Sequence, residues 1–142
     1  MQSSPFSSTA LPGQLDDQIR EANPWWSGLP GPHLTDLAGH LAESVAGYFL
    51  SSVPHLDLAH FPERNAEPEV DFVMTVGEKR VPVEVKYRRR IDPHRDTLGL
   101  CAFLEKSAYN APIGILVTLE DGVDIPDPRI IPVPLKTLLL MR

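Results

Sequence analysis

The stretch that decides the fold is Val70-Asp71-Phe72-Val73-Met74-Thr75-Val76, then Gly77-Glu78-Lys79-Arg80, then Val81-Pro82-Val83-Glu84-Val85-Lys86-Tyr87. Val70, Phe72, Met74 and Val76 alternate with Asp71, Val73 and Thr75, and Val81, Val83, Val85 and Tyr87 alternate with Pro82, Glu84 and Lys86. Residues two apart on a strand share a face, so the two parts read as half-buried strands joined by a turn at Gly77 to Arg80. An unbulged hairpin with that even-length loop pairs positions whose numbers sum to about 157, setting Asp71 opposite Lys86 and Val73 opposite Glu84. Burying both apolar sets on one face then gathers Asp71, Glu84 and Lys86 on the other.

On the N-terminal side, Leu34, Leu37, Leu41, Val45 and Phe49 recur at three- and four-residue steps. That spacing predicts an amphipathic helix over 33–50, with Pro54 beyond its end and Glu43 off the apolar stripe. On the C-terminal side, Leu100, Cys101, Phe103, Leu104 and Ala108 predict a crossover helix between Thr97 and Asn110, with Asp96 or Thr97 as its cap. Ile113 to Thr118 is a short, continuously apolar run, the pattern of a strand covered on both faces. Strand, helix, strand implies a right-handed parallel crossover. Arg129 to Val133 reads as an edge strand interrupted by Pro132, and Pro134 opens a last helix through Leu140. The expected class is α/β: a central mixed sheet, antiparallel hairpin plus parallel crossover, flanked by helices.

The first 32 residues, rich in Ser, Pro and Gly, show no sustained period and read as an arm or linker before a domain over 33–142. Within the arm, Trp25 and Trp26 are costly to leave in water; they pack on the chain's own core or a dimer mate, or stack on a ligand.

A chain of 142 residues has room for one domain with a real core. No apolar run approaches the roughly 20 residues of a membrane helix, and the polar N-terminus does not read as a signal peptide, so a cytoplasmic location is expected. One cysteine, Cys101, excludes an internal disulfide and a cysteine zinc site. A net charge of −6 excludes a globally basic nucleic-acid surface, but not a local basic stripe. Lys86-Tyr87-Arg88-Arg89-Arg90 is such a stripe, lying where a phosphate backbone would pass, or else a solvated strand end balancing an acidic protein. The histidines have no ligand spacing and read as ordinary surface or core residues.

Two carboxylates and an ammonium on one patch are an expensive grouping unless a charged ligand completes it. Hard cations such as Mg²⁺ or Mn²⁺ take one or two protein carboxylates, and Asp71 and Glu84 supply that number. With Lys86 orienting water or stabilising an anionic transition state, phosphodiester hydrolysis uses all three groups. A Glu-X-Lys triplet is common, however, and a charged strand face is also ordinary surface.

The segment Arg64-Asn65-Ala66-Glu67-Pro68-Glu69-Val70-Asp71-Phe72-Val73, followed by Val83-Glu84-Val85-Lys86, resembles the nuclease-like domain at the C-terminus of many bacterial and archaeal AAA-type ATPases. That domain belongs to the PD-(D/E)XK superfamily. The similarity extends back to Gly39-His40-Leu41-Ala42-Glu43 and forward to Ile130-Ile131-Pro132-Val133. It implies a restriction-endonuclease-like core, Asp71 and Glu84 as metal ligands, Lys86 as catalytic lysine and Glu43 as an auxiliary acid. Glu69 and Arg64 match family positions as well, and DNA would be met by Arg64, Arg88, Arg89 and Arg90. No Gly-rich loop ending in Gly-Lys-Ser/Thr occurs, so an ATPase module is expected in cis or in trans rather than within this chain. The alternative is a catalytically inactive nuclease fold serving as an interaction or oligomerisation module, a homodimer included; a small restriction-like or repair enzyme differs from the leading reading only in substrate.

Overall fold

The computed structural model describes residues 31–61 and 69–141. Contacts divide the chain into Met1–Leu34 and Thr35–Arg142. Arg64, Trp25 and Trp26 lie outside the described residues, and so does the proposed arm except Gly31 and Pro32, which already begin the first helix.

Helix α1 (Gly31–Ser51) is followed by strands β1 (Asp57–Phe61), β2 (Val70–Val76) and β3 (Lys79–Lys86), helix α2 (Leu98–Glu105), strands β4 (Gly114–Thr118) and β5 (Ile130–Pro134), and helix α3 (Leu135–Leu140). The strands form one sheet in the order β1-β2-β3-β4-β5. β1, β2 and β3 pair antiparallel; β3, β4 and β5 pair parallel. The fold is therefore an α/β domain with a mixed sheet and helices against it, as the hairpin and crossover patterns imply. Among the described residues, no helix is long and apolar enough to cross a membrane.

The hairpin register differs from expectation. Val76 pairs with Lys79, Thr75 with Arg80 and Val73 with Pro82. The loop is thus two residues, Gly77-Glu78, not four, and Gly77 permits it by adopting φ +62, a left-handed conformation that costs glycine little. Lys79 and Arg80 become strand residues, and every partner moves by two. A shift of two alone would leave each side chain on its expected face, but the register against β1 also shifts between His60 and Phe61, and Val70 packs with Val73 and Leu116 rather than with Met74. Asp71 thereby loses Lys86 as its facing residue and Val73 loses Glu84; Asp71 and Lys86 instead line one cleft toward α1, while Glu84, beside Leu116, does not.

The helical face also differs. Ala42, Ala46 and Leu50 are buried, whereas Leu37 and Leu41 are 61% and 63% exposed. A sheet in close contact selects small side chains: a Cβ on Gly47 would lie 2.8 Å from the Phe72 ring. α1 packs on Met74, Val81, Val83, Val85 and Val117 with help from α3. The opposite sheet face is not open surface either. Val70, Val73, Leu116 and Ile130 lie there beneath Leu100, Phe103 and Leu104 of α2. Buried residues of this kind cost about 2–5 kcal/mol each when truncated to alanine.

β1 has no counterpart in the sequence reading, and it occupies the sheet edge beside β2. The crossover helix is shorter than expected, a regular α2 between 3₁₀ turns at Arg95–Thr97 and Ser107–Tyr109. Neither expected cap operates: Thr97 makes no side-chain cap hydrogen bond, its hydroxyl donating to the Pro93 carbonyl at 2.6 Å, and the Asp96 carboxylate is engaged elsewhere. β5 is the far edge strand, where Pro132 costs the sheet least. Pro134 precedes the first residue of α3.

Candidate functional site

Asp71 is the second residue of β2, and Glu84 and Lys86 fall at the end of β3. The β2–β3 ladder runs as far as Phe72 opposite Val83. Just beyond it, the Val85 N–H donates to Asp71 Oδ2 at 2.6 Å, so a side chain takes over from the backbone as acceptor. On the other side of β2, α2 comes in at Gly99, where a Cβ would lie 2.2 Å from the Glu69 carbonyl oxygen. Only glycine fits that approach, and it fixes the strand two residues before Asp71.

Lys86 Nζ lies 2.5 Å from Glu84 Oε1, with the glutamate side chain 12% exposed and the lysine 31%. The other glutamate oxygen, Oε2, is buried and has no hydrogen-bond partner among the described residues. A buried carboxylate oxygen without a partner carries a desolvation cost that a cation or a proton relieves. Burial, reinforced by the like charge of Asp71, pushes the Glu84 carboxyl up to about 7 against the pull of Lys86. Burial likewise raises Asp71, with Glu43 and Glu69 adding to the effect and the Val85 N–H and Lys86 opposing it. At Lys86, burial acts downward but is outweighed by the hydrogen bond and charge of Glu84, then by Asp71 and Asp96, leaving a net upward shift.

Asp71 and Lys86 open into a cleft of about 330 Å³, whose far wall is α1 with Asp36, His40 and Glu43. Glu43 therefore faces the same space as Asp71, although it lies off the apolar stripe read from the sequence. Glu84 does not line the cleft; it stands behind Lys86. His40, read as ordinary from its spacing, is on the cleft wall because it adjoins Gly39 and Glu43 on the same helix.

The basic run divides into two kinds of residue. Lys86 is paired with Glu84, and Arg88 with Asp96, whose side chain is 3% exposed. Arg89 and Arg90 are exposed and have no ion pair among the described residues. Asp96 is a functional residue that the sequence pattern does not reveal: it is no helix cap, for its Oδ2 accepts the Asp92 N–H at 2.8 Å while Oδ1 takes Arg88. Glu69 is exposed immediately before β2.

A divalent cation is a ligand whose donor requirements Asp71 and Glu84 could meet. Two carboxylates raised by burial, one with an unpartnered oxygen, form a hard oxygen donor set. Among the described residues no group of three or more His, Cys, Asp or Glu is gathered to hold a metal ion. A cation here would rest on Asp71 and Glu84, with water or phosphate oxygens completing its shell, the usual arrangement for Mg²⁺.

Fold and site together define a class: a mixed-sheet α/β domain carrying an acid pair and a lysine at adjoining strand ends. Residues 38–138 match the family model described as "Domain of unknown function (DUF4143)". The chain belongs to that family, a domain associated with AAA-ATPase-like proteins. No curated protein and no solved structure matches it.

Proposed function

We propose that the domain hydrolyses phosphodiester bonds in nucleic acid, DNA in the first instance, as a PD-(D/E)XK-type nuclease with a restriction-endonuclease-like core. Asp71 and Glu84 hold Mg²⁺ or Mn²⁺, Lys86 is the catalytic lysine and Glu43 the auxiliary acid. The observation that carries this reading is the unpartnered, buried Glu84 Oε2 beside Asp71, with Lys86 as the ion-pair partner of Glu84 among the described residues. The cation supplies charge neutralisation for the phosphoryl group and acidifies water. Lys86 Nζ, reaching the cleft, donates to the attacking water or to a non-bridging oxygen as negative charge grows there. Asp71, fixed by the Val85 N–H, keeps its other oxygen for the ligand. Arg88, Arg89 and Arg90 carry the strand past the site, and an ATPase in cis or in trans supplies the DNA.

The test is nicking of supercoiled plasmid by the purified chain with Mg²⁺ or Mn²⁺. Nicking that falls at least 100-fold in both Glu84→Gln and Lys86→Ala supports the reading; nicking unchanged in both refutes it. One observation favours a second reading. Glu84 and Lys86 neutralise each other and Glu84 stays off the cleft wall, which suits an inactive fold kept as an interaction or oligomerisation module. That reading expects no metal binding and a stable oligomer by light scattering.

A further inference from the structure

Beside the cleft, sharing Arg88 with it, lies a second cavity of about 480 Å³ lined by Arg88, Arg90 and Arg95 together with Ile91, Pro93 and the two acids Asp92 and Asp96. Its size falls within the roughly 300–1,000 Å³ of small-ligand sites. The acids are already committed. Asp96 is buried, taking Arg88 on Oδ1 and the Asp92 N–H on Oδ2. Asp92 Oδ1 accepts the N–H groups of His94 and Arg95, both at 3.0 Å. The loop is thus held by its own carboxylates, and the guanidinium groups of Arg90 and Arg95 have no side-chain acceptor among the described residues. Three guanidinium groups against two carboxylates leave one positive charge, presented by the side chain best suited to a phosphate's paired oxygens.

We infer that this cavity is a phosphate site for the strand that enters the cleft. It takes a backbone phosphate next to the one held at Asp71 and Lys86, with Arg95 and Arg90 as its ligands and Arg88, anchored by Asp96, as the shared wall. The inference rests on the phosphodiester reading of the cleft and adds Arg95, which belongs to no basic run in the sequence. Its consequence is directional. A strand that fills both sites lies along β3 past Arg88, so cleavage requires at least one nucleotide on that side of the scissile bond.

The experiment is fluorescence anisotropy of a short labelled DNA in EDTA, where no cleavage occurs, over a range of salt concentrations. Arg95→Gln and Arg90→Gln should each raise Kd several-fold. Each should also lower the slope of log affinity against log salt by about 0.9 per lost phosphate contact for duplex, or about 0.7 for single strand. Lys136→Gln, at an exposed pair with Asp121, should leave both unchanged. A wild-type slope in Arg95→Gln overturns the inference, as does an equal drop in Lys136→Gln or no DNA binding by the wild type. Plasmid nicking judges the other reading separately. A slope change without metal-dependent nicking sinks the cleavage reading and keeps the pocket; nicking with an unaltered Arg95→Gln does the reverse.

Discussion

Glu84 makes the unfolding free energy of this domain depend on pH in a direction opposite to that of most carboxylates. Its carboxyl titrates at an ordinary 4.5 in the unfolded chain and at about 7 in the folded one, because burial and Asp71 outweigh Lys86. The folded state therefore binds the proton more tightly. The contribution is fully present below pH 4.5, declines between 4.5 and 7, and is lost above 7. At about 1.36 kcal/mol per tenfold difference in proton affinity, the full swing has a ceiling of about 3 kcal/mol. Replacing Glu84 by Gln removes that titration while keeping the shape. Whatever constant offset the amide introduces, the stability of Glu84→Gln relative to wild type should climb by up to about 3 kcal/mol between pH 4.5 and 8. Urea unfolding of both proteins at half-unit pH intervals measures the difference directly. A flat difference, or one that falls as pH rises, would refute the reasoning, since it would mean that the Lys86 ammonium keeps Glu84 ionised in the fold.

Gly99→Ala forces a methyl group against the Glu69 carbonyl and so pushes α2 off β2; a loss of about 1–3 kcal/mol is expected, read as a lower urea midpoint at unchanged m-value. Lys86→Met removes the ammonium that occupies Glu84, so affinity for Mn²⁺ should increase several-fold by calorimetry while nicking is abolished; weaker Mn²⁺ binding would show that Lys86 assists the cation instead of competing with it.

The hairpin was legible because β-branched residues at period two leave few alternatives, although the irregularity at Val70 breaks the alternation that the sequence shows. The error of two in the register arose at Gly77-Glu78-Lys79-Arg80, where only the left-handed φ of Gly77 decides between a two- and a four-residue loop. Hydrophobicity pointed to Leu37 and Leu41 as the inner face of α1, but contact with the sheet at Gly47 and Phe72 requires small residues, and Ala42 and Ala46 took their place. β1 escaped notice because Asp57 to Phe61 is a short edge strand, largely exposed and with weak alternation. Spacing set Asp71, Glu84 and Lys86 on neighbouring strands, but not that Glu84 would stand off the cleft that Asp71 and Lys86 line. That Glu84 would be buried could not be read from spacing, since it depends on α2 covering the face the hairpin pattern left polar. Asp96 and Arg95 sit in an aperiodic loop, and their roles come from Arg88 eight residues back along the chain and from a cavity that has no linear signature.

The proposed function requires the buried pair of Asp71 and Glu84 to take a hard cation. Calorimetric titration of the full chain with Mn²⁺ tests this most directly. One site of millimolar affinity is expected, with protons released near pH 7 as Glu84 gives up its own, and no binding in Asp71→Asn. Absence of binding in the wild type, or an affinity unchanged by both Asp71→Asn and Glu84→Gln, would contradict it.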